Sequence, residues 1–376
     1  MSEEAPTSTA TSSRSADLPA QSPPVDPAET HAAVGKTATA PRLSWWSGDG
    51  GEGAKRNLGL IGVLVVLVII GVATRPDLYS DSTWVWGNFL TILKLASVVG
   101  VVTVGMTFVI IGGGIDLSVG AIIALSGVWA TTLATQSFGA GGMIFTALTV
   151  GVAVGLVNGI LISYGRLVPF IATLAMLVAA RGLAAEISGK QTQVSNNTFI
   201  NDIAANSLLG IPLLVYILVA VVLGGWILLN RTTFGRRTVA VGGNPEAARL
   251  AGINVKRHTV LLYALSGLCC GIAAIMLTAQ ATSAQAAMAN LYELDAIAAA
   301  IIGGTLLSGG RGTIVGSLLG VLIFSTITNL FAINGLSTEA QNMVKGGIIV
   351  AAVLIQQVQF GSLGKFIARH RGTQTS

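Results

Sequence analysis

Residues Ile111–Ala121 read IGGGIDLSVGA. Three consecutive glycines, Gly112, Gly113 and Gly114, interrupt an apolar run of more than twenty residues. A single acid, Asp116, follows, and Leu117-Ser118-Val119-Gly120 opens a second apolar run. Glycine admits backbone conformations that a side chain forbids. An ionisable group beside a membrane segment is costly and usually functional. A glycine triplet followed by a carboxylate therefore marks a break in a spanning helix, and the question is what surrounds it.

Composition sets the class. Of 376 residues, 52% are apolar, 10% are charged and 47 are glycine. Soluble domains carry roughly a quarter charged residues, so this chain cannot cover a soluble surface and reads as an all-α polytopic membrane protein. A spanning helix needs about 20 apolar residues. The apolar runs are 58–74, 89–111, 117–135, 143–163, 169–186, 212–229, 259–280, 295–308, 313–333 and 343–359, about ten spans, the eighth short. The eighth run and the Gly112–Gly114 break admit a second reading, as re-entrant segments or half-helices. With the amino terminus inside, the carboxy terminus also lies inside the cell membrane. Lys55, Arg56, Arg166, Arg231, Arg236, Arg237, Arg249, Lys256, Arg257, Arg311, Lys365, Arg369 and Arg371 then fall on the cytoplasmic side. Arg75 and Lys190 fall in outer loops, and Lys94, Arg181 and Lys345 near outer helix ends. That bias fits the positive-inside rule.

Residues 1–56 form a disordered cytoplasmic tail by composition, 57–360 the membrane domain, and 361–376 a cytoplasmic carboxy-terminal tail. Val34-Gly35-Lys36-Thr37 imitates the end of a phosphate-binding loop, but the first glycine of that motif is replaced by Thr30. Trp45, Trp46, Lys55 and Arg56 suit a membrane interface. Cys269 and Cys270 are adjacent in an apolar run, where neither a disulfide nor metal ligation is expected. Glycines four apart, at 151/155/159, 267/271 and 312/316/320, let helices approach closely. The string Ile110-Ile111-Gly112-Gly113 recurs as Ile301-Ile302-Gly303-Gly304. This echo reads as a parallel internal repeat of the kind transporters carry or as a chance match in a chain rich in both residues.

The residues offer little covalent chemistry. His31 lies in the tail, His258 in a loop and His370 near the end, and no HExxH, CxxC or Ser/His/Asp pattern is present. The chain is expected not to be an enzyme. Intramembrane acids, the mark of an ion-driven carrier, are few: Asp116 at the break, and Glu186, Glu293 and Asp295 at outer ends. Energy must then come from a partner. The longest loop on the basic side, Asn230–His258, offers the contact. Asn244 and Pro245 start a short helix, Glu246 lies in its first turn, Ala247, Ala248, Leu250 and Ala251 make a small apolar face, and Gly252 ends it. Such a helix has little stability of its own and suits docking onto another protein, or is a capped surface helix.

Glu246-Ala247-Ala248-Arg249-Leu250-Ala251-Gly252 resembles the EAAxxxG loop of ABC-importer permeases. IGGGIDLSVGA and Ala299–Leu319 are similar to the permease family for ribose, xylose, arabinose and galactose, over about residues 58–360. The loop departs from many importer permeases in having Leu261-Leu262 without a following proline. The resemblance implies a second permease copy, a separate ATPase subunit that carries the ATP and magnesium, and an extracytoplasmic sugar-binding protein. No cofactor on this chain and no nucleic-acid partner is expected. It implies a ten-helix fold like the vitamin-B12 importer.

Site expectations follow. Glu246, Ala247, Ala248, Arg249 and Gly252 form the ATPase-coupling loop, with Arg236, Arg237 and Arg249 as partners for ATPase acids or simply positive-inside markers. Asp116 caps a helix that begins at Leu117, or pairs with Arg311, the charge at the echoed break, as an inner gate. Asn88, Phe89, Asn158, Phe170, Thr173, Gln280 and Asn329 are candidates for the sugar path, since a sugar needs polar groups and aromatics. The outer segment 187–211 is the expected dock for the binding protein, and its Asn196-Asn197-Thr198 sequon is read as chance. The rival reading is an ion-coupled secondary sugar transporter.

Overall fold

Long apolar runs in lipid must satisfy every backbone group internally, so they become helices. The computed structural model describes the backbone of residues 50–371. The tail residues 1–49, with Val34–Thr37, Trp45 and Trp46, lie outside the described residues, as do the last five. The elements in order are α1 (Gly50–Thr74), α2 (Pro76–Tyr79), α3 (Ser82–Ile111), α4 (Val119–Ala130), α5 (Leu133–Gln136), α6 (Gly139–Ser163), α7 (Pro169–Ile187), β1 (Gln193–Val194), α8 (Thr198–Ala205), β2 (Ser207–Leu208), β3 (Ile211–Pro212) and α9 (Leu213–Arg231). Then come α10 (Thr233–Gly243), α11 (Pro245–Leu250), α12 (Val255–Ala281), β4 (Ser283–Ala284), α13 (Tyr292–Ile302), α14 (Ile314–Ile333) and α15 (Thr338–Arg371).

Every expected apolar run falls on a helix, but not every helix is a span. Among the described residues seven helices have the length and composition to cross a membrane: α1, α3, α6, α7, α9, α12 and α14. The third run, 117–135, and the eighth, 295–308, are corrected to short helices of 12 and 11 residues, α4 and α13. At about 1.5 Å per residue neither covers a hydrocarbon core of about 30 Å. Both are half-helices preceded or followed by a glycine break. The amino-terminal tail boundary also shifts: Gly50–Arg56 are the first turns of α1. His258, read as a loop residue, is in the first turn of α12 and buried.

The half-helices sit in the middle. The carboxy-terminal half of α3 is buried on all sides from Gly100 to Ile111, and α4 is buried except at Trp129. The apolar window of α3 is 83% buried, against 6% for α1, so α3 is the axle and α1 a peripheral helix. Val101, Ile110, Ile122, Leu125, Ala273 and Ala300 belong to one cluster joining α3, α4, α12 and α13. An all-round apolar helix belongs in such a core.

The glycine stripes decide how the rest packs. A Cβ at Gly155 would overlap Tyr263 O, one at Gly159 would lie 2.6 Å from Val260 Cα, and one at Gly271 2.6 Å from Ala147 O. α6 and α12 therefore cross at backbone contact. Gly316 and Gly320 do the same for α14 against Gly303 and Ala299 of α13. At the end opposite the basic loop, β1 pairs antiparallel with β4 (Gln193 opposite Ala284), and β2 with β3. Gln136 bridges α5 to this edge, donating to Val194 O at 2.9 Å and accepting from Asn196 N at 2.8 Å. Asn197, part of the sequon, caps α8 by accepting from Ile200 N.

Replacing Gly155 with leucine is expected to cost about 1–3 kcal/mol through overpacking. Gly224→Leu is the comparison, because a Cβ there meets nothing within 4 Å. Thermal unfolding of the detergent-solubilised chain checks this: only the first variant should lose melting temperature.

Candidate functional site

The two echoed strings build the same structure. At the end of α3, Gly112 closes the helix, Gly113 takes φ +84°, Gly113 N donates to Ile110 O at 2.9 Å and Gly114 N to Val109 O at 2.9 Å. At the end of α13, Gly303 closes the helix, Gly304 takes φ +85°, Gly304 N donates to Ile301 O at 2.8 Å and Thr305 N to Ala300 O at 2.9 Å. Each is a Schellman cap, in which a left-handed residue turns the last amides back onto orphan carbonyls. That conformation is why glycine stands at 113 and 304. The loop after the second break also touches the first, for Gly310 N donates to Ile111 O at 2.8 Å. Nearby, Thr107 Oγ1 donates to Ser317 Oγ at 2.8 Å, tying α3 to α14.

Asp116 is fully buried on the segment between α3 and α4. Its Oδ1 accepts from Ser118 N at 3.0 Å and Ser118 Oγ at 2.6 Å, and its Oδ2 from Ser266 Oγ at 3.0 Å on α12. Asn158 Nδ2 of α6 donates to Ser118 Oγ at 2.8 Å, and Tyr263 Oη to Ile115 O at 3.1 Å. A buried carboxylate needs such donors. The expected cap is corrected in detail: α4 begins at Val119 with Ser118 at its N-cap, and Asp116 accepts the amide two residues on, as an Asx turn does. Its charge still sits at a helix amino terminus. The expected Asp116–Arg311 pair is also corrected. Arg311 is exposed, Asp116 has no exposed surface, and the carboxylate is occupied by Ser118 and Ser266.

The charges read as lying at outer helix ends find partners within the protein. Lys345 of α15 pairs with Asp295 of α13 at 3.2 Å, with side chains 17% and 11% exposed, and its ammonium lies over the Phe324 ring at 5.1 Å. Arg181 of α7 donates to Ala286 O at 2.6 Å and Met288 O at 2.8 Å. Its guanidinium and Glu293 Oε2 converge on Gly120 of α4, where a Cβ would lie 2.6 Å from that oxygen and 3.5 Å from Nη2. The first turn of α13 thus carries two carboxylates, suited to its dipole, facing cations from two other helices. Glu186 stays exposed. The signal available in the sequence was two acids and two bases in or beside apolar runs, but Lys345 and Asp295 are 50 positions apart and Arg181 reaches Ala286 across 105.

The sugar-path candidates lie on α3, α6, α7, α12 and α14. Asn88 is half-buried and Phe89, exposed, stacks on Trp86 at 5.7 Å in the first turns of α3. Exposed Gln280 reaches Lys94 O at 3.4 Å. Asn158 belongs to the Asp116 network, Thr173 Oγ1 donates to Pro169 O at 2.9 Å, Phe170 is exposed in the first turn of α7, and Asn329 is buried on α14. A groove of about 380 Å³ between α1, α14 and α15 is lined by Leu67, Ile70, Leu330 and Phe331 and is apolar apart from Asn334.

The basic loop is built as expected. Asn244 Oδ1 accepts from Ala247 N at 3.0 Å, Pro245 opens α11, Glu246 lies in its first turn, and Gly252 takes φ +83°. Ile253 N donates to Ala248 O at 3.0 Å, a third Schellman cap. Arg249 pairs with Glu246 within the helix at 3.0 Å. Ala248 is buried against the chain's own body, whereas Leu250 is 79% exposed. α10 is pinned behind it: Thr238 Oγ1 meets His258 Nε2 at 2.9 Å, and the Phe234 ring lies 4.7 Å from that of His258 and 6.0 Å from that of Phe108.

Among the described residues, seven span-length helices around two glycine-broken half-helices define a polytopic membrane protein. A family model described as the permease component of branched-chain amino acid transport systems matches residues 88–353. The chain is 40% identical over 308 residues to the ribose import permease protein RbsC of Bacillus subtilis, covering 81% of this chain and 94% of that protein. It is 38% identical to RbsC of Escherichia coli K12 (79% and 92% covered) and 38% identical to the L-arabinose ABC transporter permease protein AraH of Azospirillum brasilense (80% and 87% covered). No solved structure matches. The chain belongs to this family of ABC-importer permease components, on the side of its sugar permeases. It is a transport component rather than an enzyme, and its family works with an ATPase and a substrate-binding protein.

Asp116→Ala strands several buried donors and is expected to cost about 1–3 kcal/mol or more, with Asp116→Asn costing less. Combined with Arg311→Ala the losses should add within about 0.5 kcal/mol; unfolding of the single and double variants measures this. Lys345→Met leaves Asp295 buried and unpaired at about 3–5 kcal/mol, and Lys345→Met with Asp295→Asn should recover much of the melting temperature.

Proposed function

We propose that the chain is the permease of an ATP-driven monosaccharide importer in the cell membrane, with both termini and the basic loop in the cytoplasm. The positive-inside bias of the loops supports that orientation. Ribose is the leading substrate because relatives at 38–40% identity are named for it, with xylose, arabinose and galactose as the neighbouring class. Two copies enclose the sugar path. This chain binds no nucleotide; ATP and magnesium belong to the ATPase. The sugar-binding protein docks on the opposite end, over the 187–211 segment.

One observation carries the coupling assignment. α11 is six residues long, capped at both ends, and turns Leu250 outward with Glu246, Ala247 and Arg249 exposed around it. An apolar knob ringed by polar groups, on a helix too short to be stable for its own sake, suits a groove on the ATPase. Ala248 faces inward and anchors the helix. Arg236 and Arg237, both exposed on α10, add positive charge toward the same partner.

The ion-coupled alternative draws on buried Asp116, Glu293 and Asp295. Asp116 and Asp295 are each engaged by hydroxyl, amide or ammonium donors, which favours a structural role for them.

Uptake of labelled ribose by cells or vesicles holding the whole system separates the readings. Uptake should survive collapse of the proton and sodium gradients and stop when ATP is removed; the reverse pattern overturns the proposal. Leu250→Asp should lower uptake about tenfold or more, a loss of hot-spot size, and release the ATPase on purification without lowering the chain's melting temperature.

A further inference from the structure

The helix proposed to dock the ATPase is joined, through the end of α10, to the end of α3 and to the loop between α13 and α14 by a contact of backbone on backbone. α10 ends in Gly242-Gly243, immediately before Asn244 caps α11. A Cβ at Gly242 would overlap Ile111 O, the last carbonyl of α3, and lie 2.7 Å from Gly310 N. That same carbonyl accepts from Gly310 N at 2.8 Å. Gly309, at φ +81°, approaches Gly242 O at 2.9 Å and Gly113 Cα at 3.0 Å, and Gly310, at φ +76°, approaches Gly243 Cα at 2.9 Å, both measured from an added Cβ. Three chain segments distant in sequence meet here with no side chain between them.

We propose that this glycine junction is the mechanical joint of the permease: a displacement of α11 passes through Gly242 into the end of α3 and into the loop between α13 and α14 at once, and the three segments move as one body. The inference rests on the coupling role given to α11. Its physical basis is stiffness. Side chains between two elements can change rotamer and absorb a shift of an ångström, whereas backbones in van der Waals contact and joined by a hydrogen bond cannot. α10 has no slack behind the joint either, because Phe234 and Thr238 hold it to α3 and α12. The Gly310 amide to Ile111 carbonyl bond then ties the end of α3 to the loop between α13 and α14.

The test uses the assembled importer, with ATPase and binding protein. Gly242→Ala inserts a methyl group into the joint, and Gly224→Ala, in open space on α9, is the comparison. The expected result is a fall of about tenfold or more in sugar moved per ATP hydrolysed, with the ATPase still co-purifying, and no change for Gly224→Ala. A wild-type ratio in Gly242→Ala overturns the joint while leaving the coupling role of α11 standing. Failure of the unmodified chain to hold its ATPase would instead remove the coupling role itself. Should Gly242→Ala not fold, a cross-link decides: Gly243→Cys with Arg311→Cys, both exposed, joined by a short flexible bismaleimide. The native Cys269 and Cys270 are buried and out of the reagent's reach. Retained uptake after cross-linking supports movement as one body; loss of uptake that the singly labelled variants do not show overturns it.

Discussion

A chain in lipid has no water to satisfy backbone groups, so each interruption of a helix must be closed from within the protein. The structure depends on how it does so at Gly112–Gly114 and at Gly303–Gly304. Both interruptions use a left-handed glycine that returns the freed amides to the preceding turn. The first lies beside the Asp116 network with Gly113 itself exposed, and the second packs against Gly316 and Gly320 of α14. Because the breaks are satisfied locally, the half-helices α4 and α13 can stand in the core with their amino termini free to receive carboxylates.

The charges inside the bundle follow the same economy of donors and acceptors. Asp116 is held by two serines and an amide, and Asp295 by Lys345. Removing one partner of such a group costs far more than the group contributes when paired. These charges fix where α4 and α13 sit relative to α7, α12 and α15. They act as rivets between helices far apart in the sequence.

Close approach is the third theme. α6 on α12, α14 on α13, and α10 on the two breaks all meet at glycine with backbone against backbone. In lipid there is little hydrophobic gain in bringing helices together, so close contact itself supplies the attraction. The glycines four apart on α6, α12 and α14 could be read from their period. The pairs Gly242-Gly243 and Gly309-Gly310 carry no such period.

The sequence by itself determined the class, the helical runs, the echo of the two glycine strings and the caps of α11. Each of these rests on local rules: hydropathy over one helix length, glycine at left-handed positions, asparagine and proline at a helix start. It also marked Asp116 as unusual, because an acid among glycines is visible without any fold. Tertiary structure alone decided what these features touch. Asp116 meets Ser266 across 150 positions and not Arg311, Asn158 donates to Ser118 beside the break, Arg181 reaches the carbonyls of Ala286 and Met288, and Lys345 pairs with Asp295. A run's hydropathy fixes that it is a helix but not which face meets which neighbour. The half-length of α4 and α13 likewise depended on where the chain could turn inside protein. Partners so far apart in sequence are chosen by packing, which no local pattern encodes.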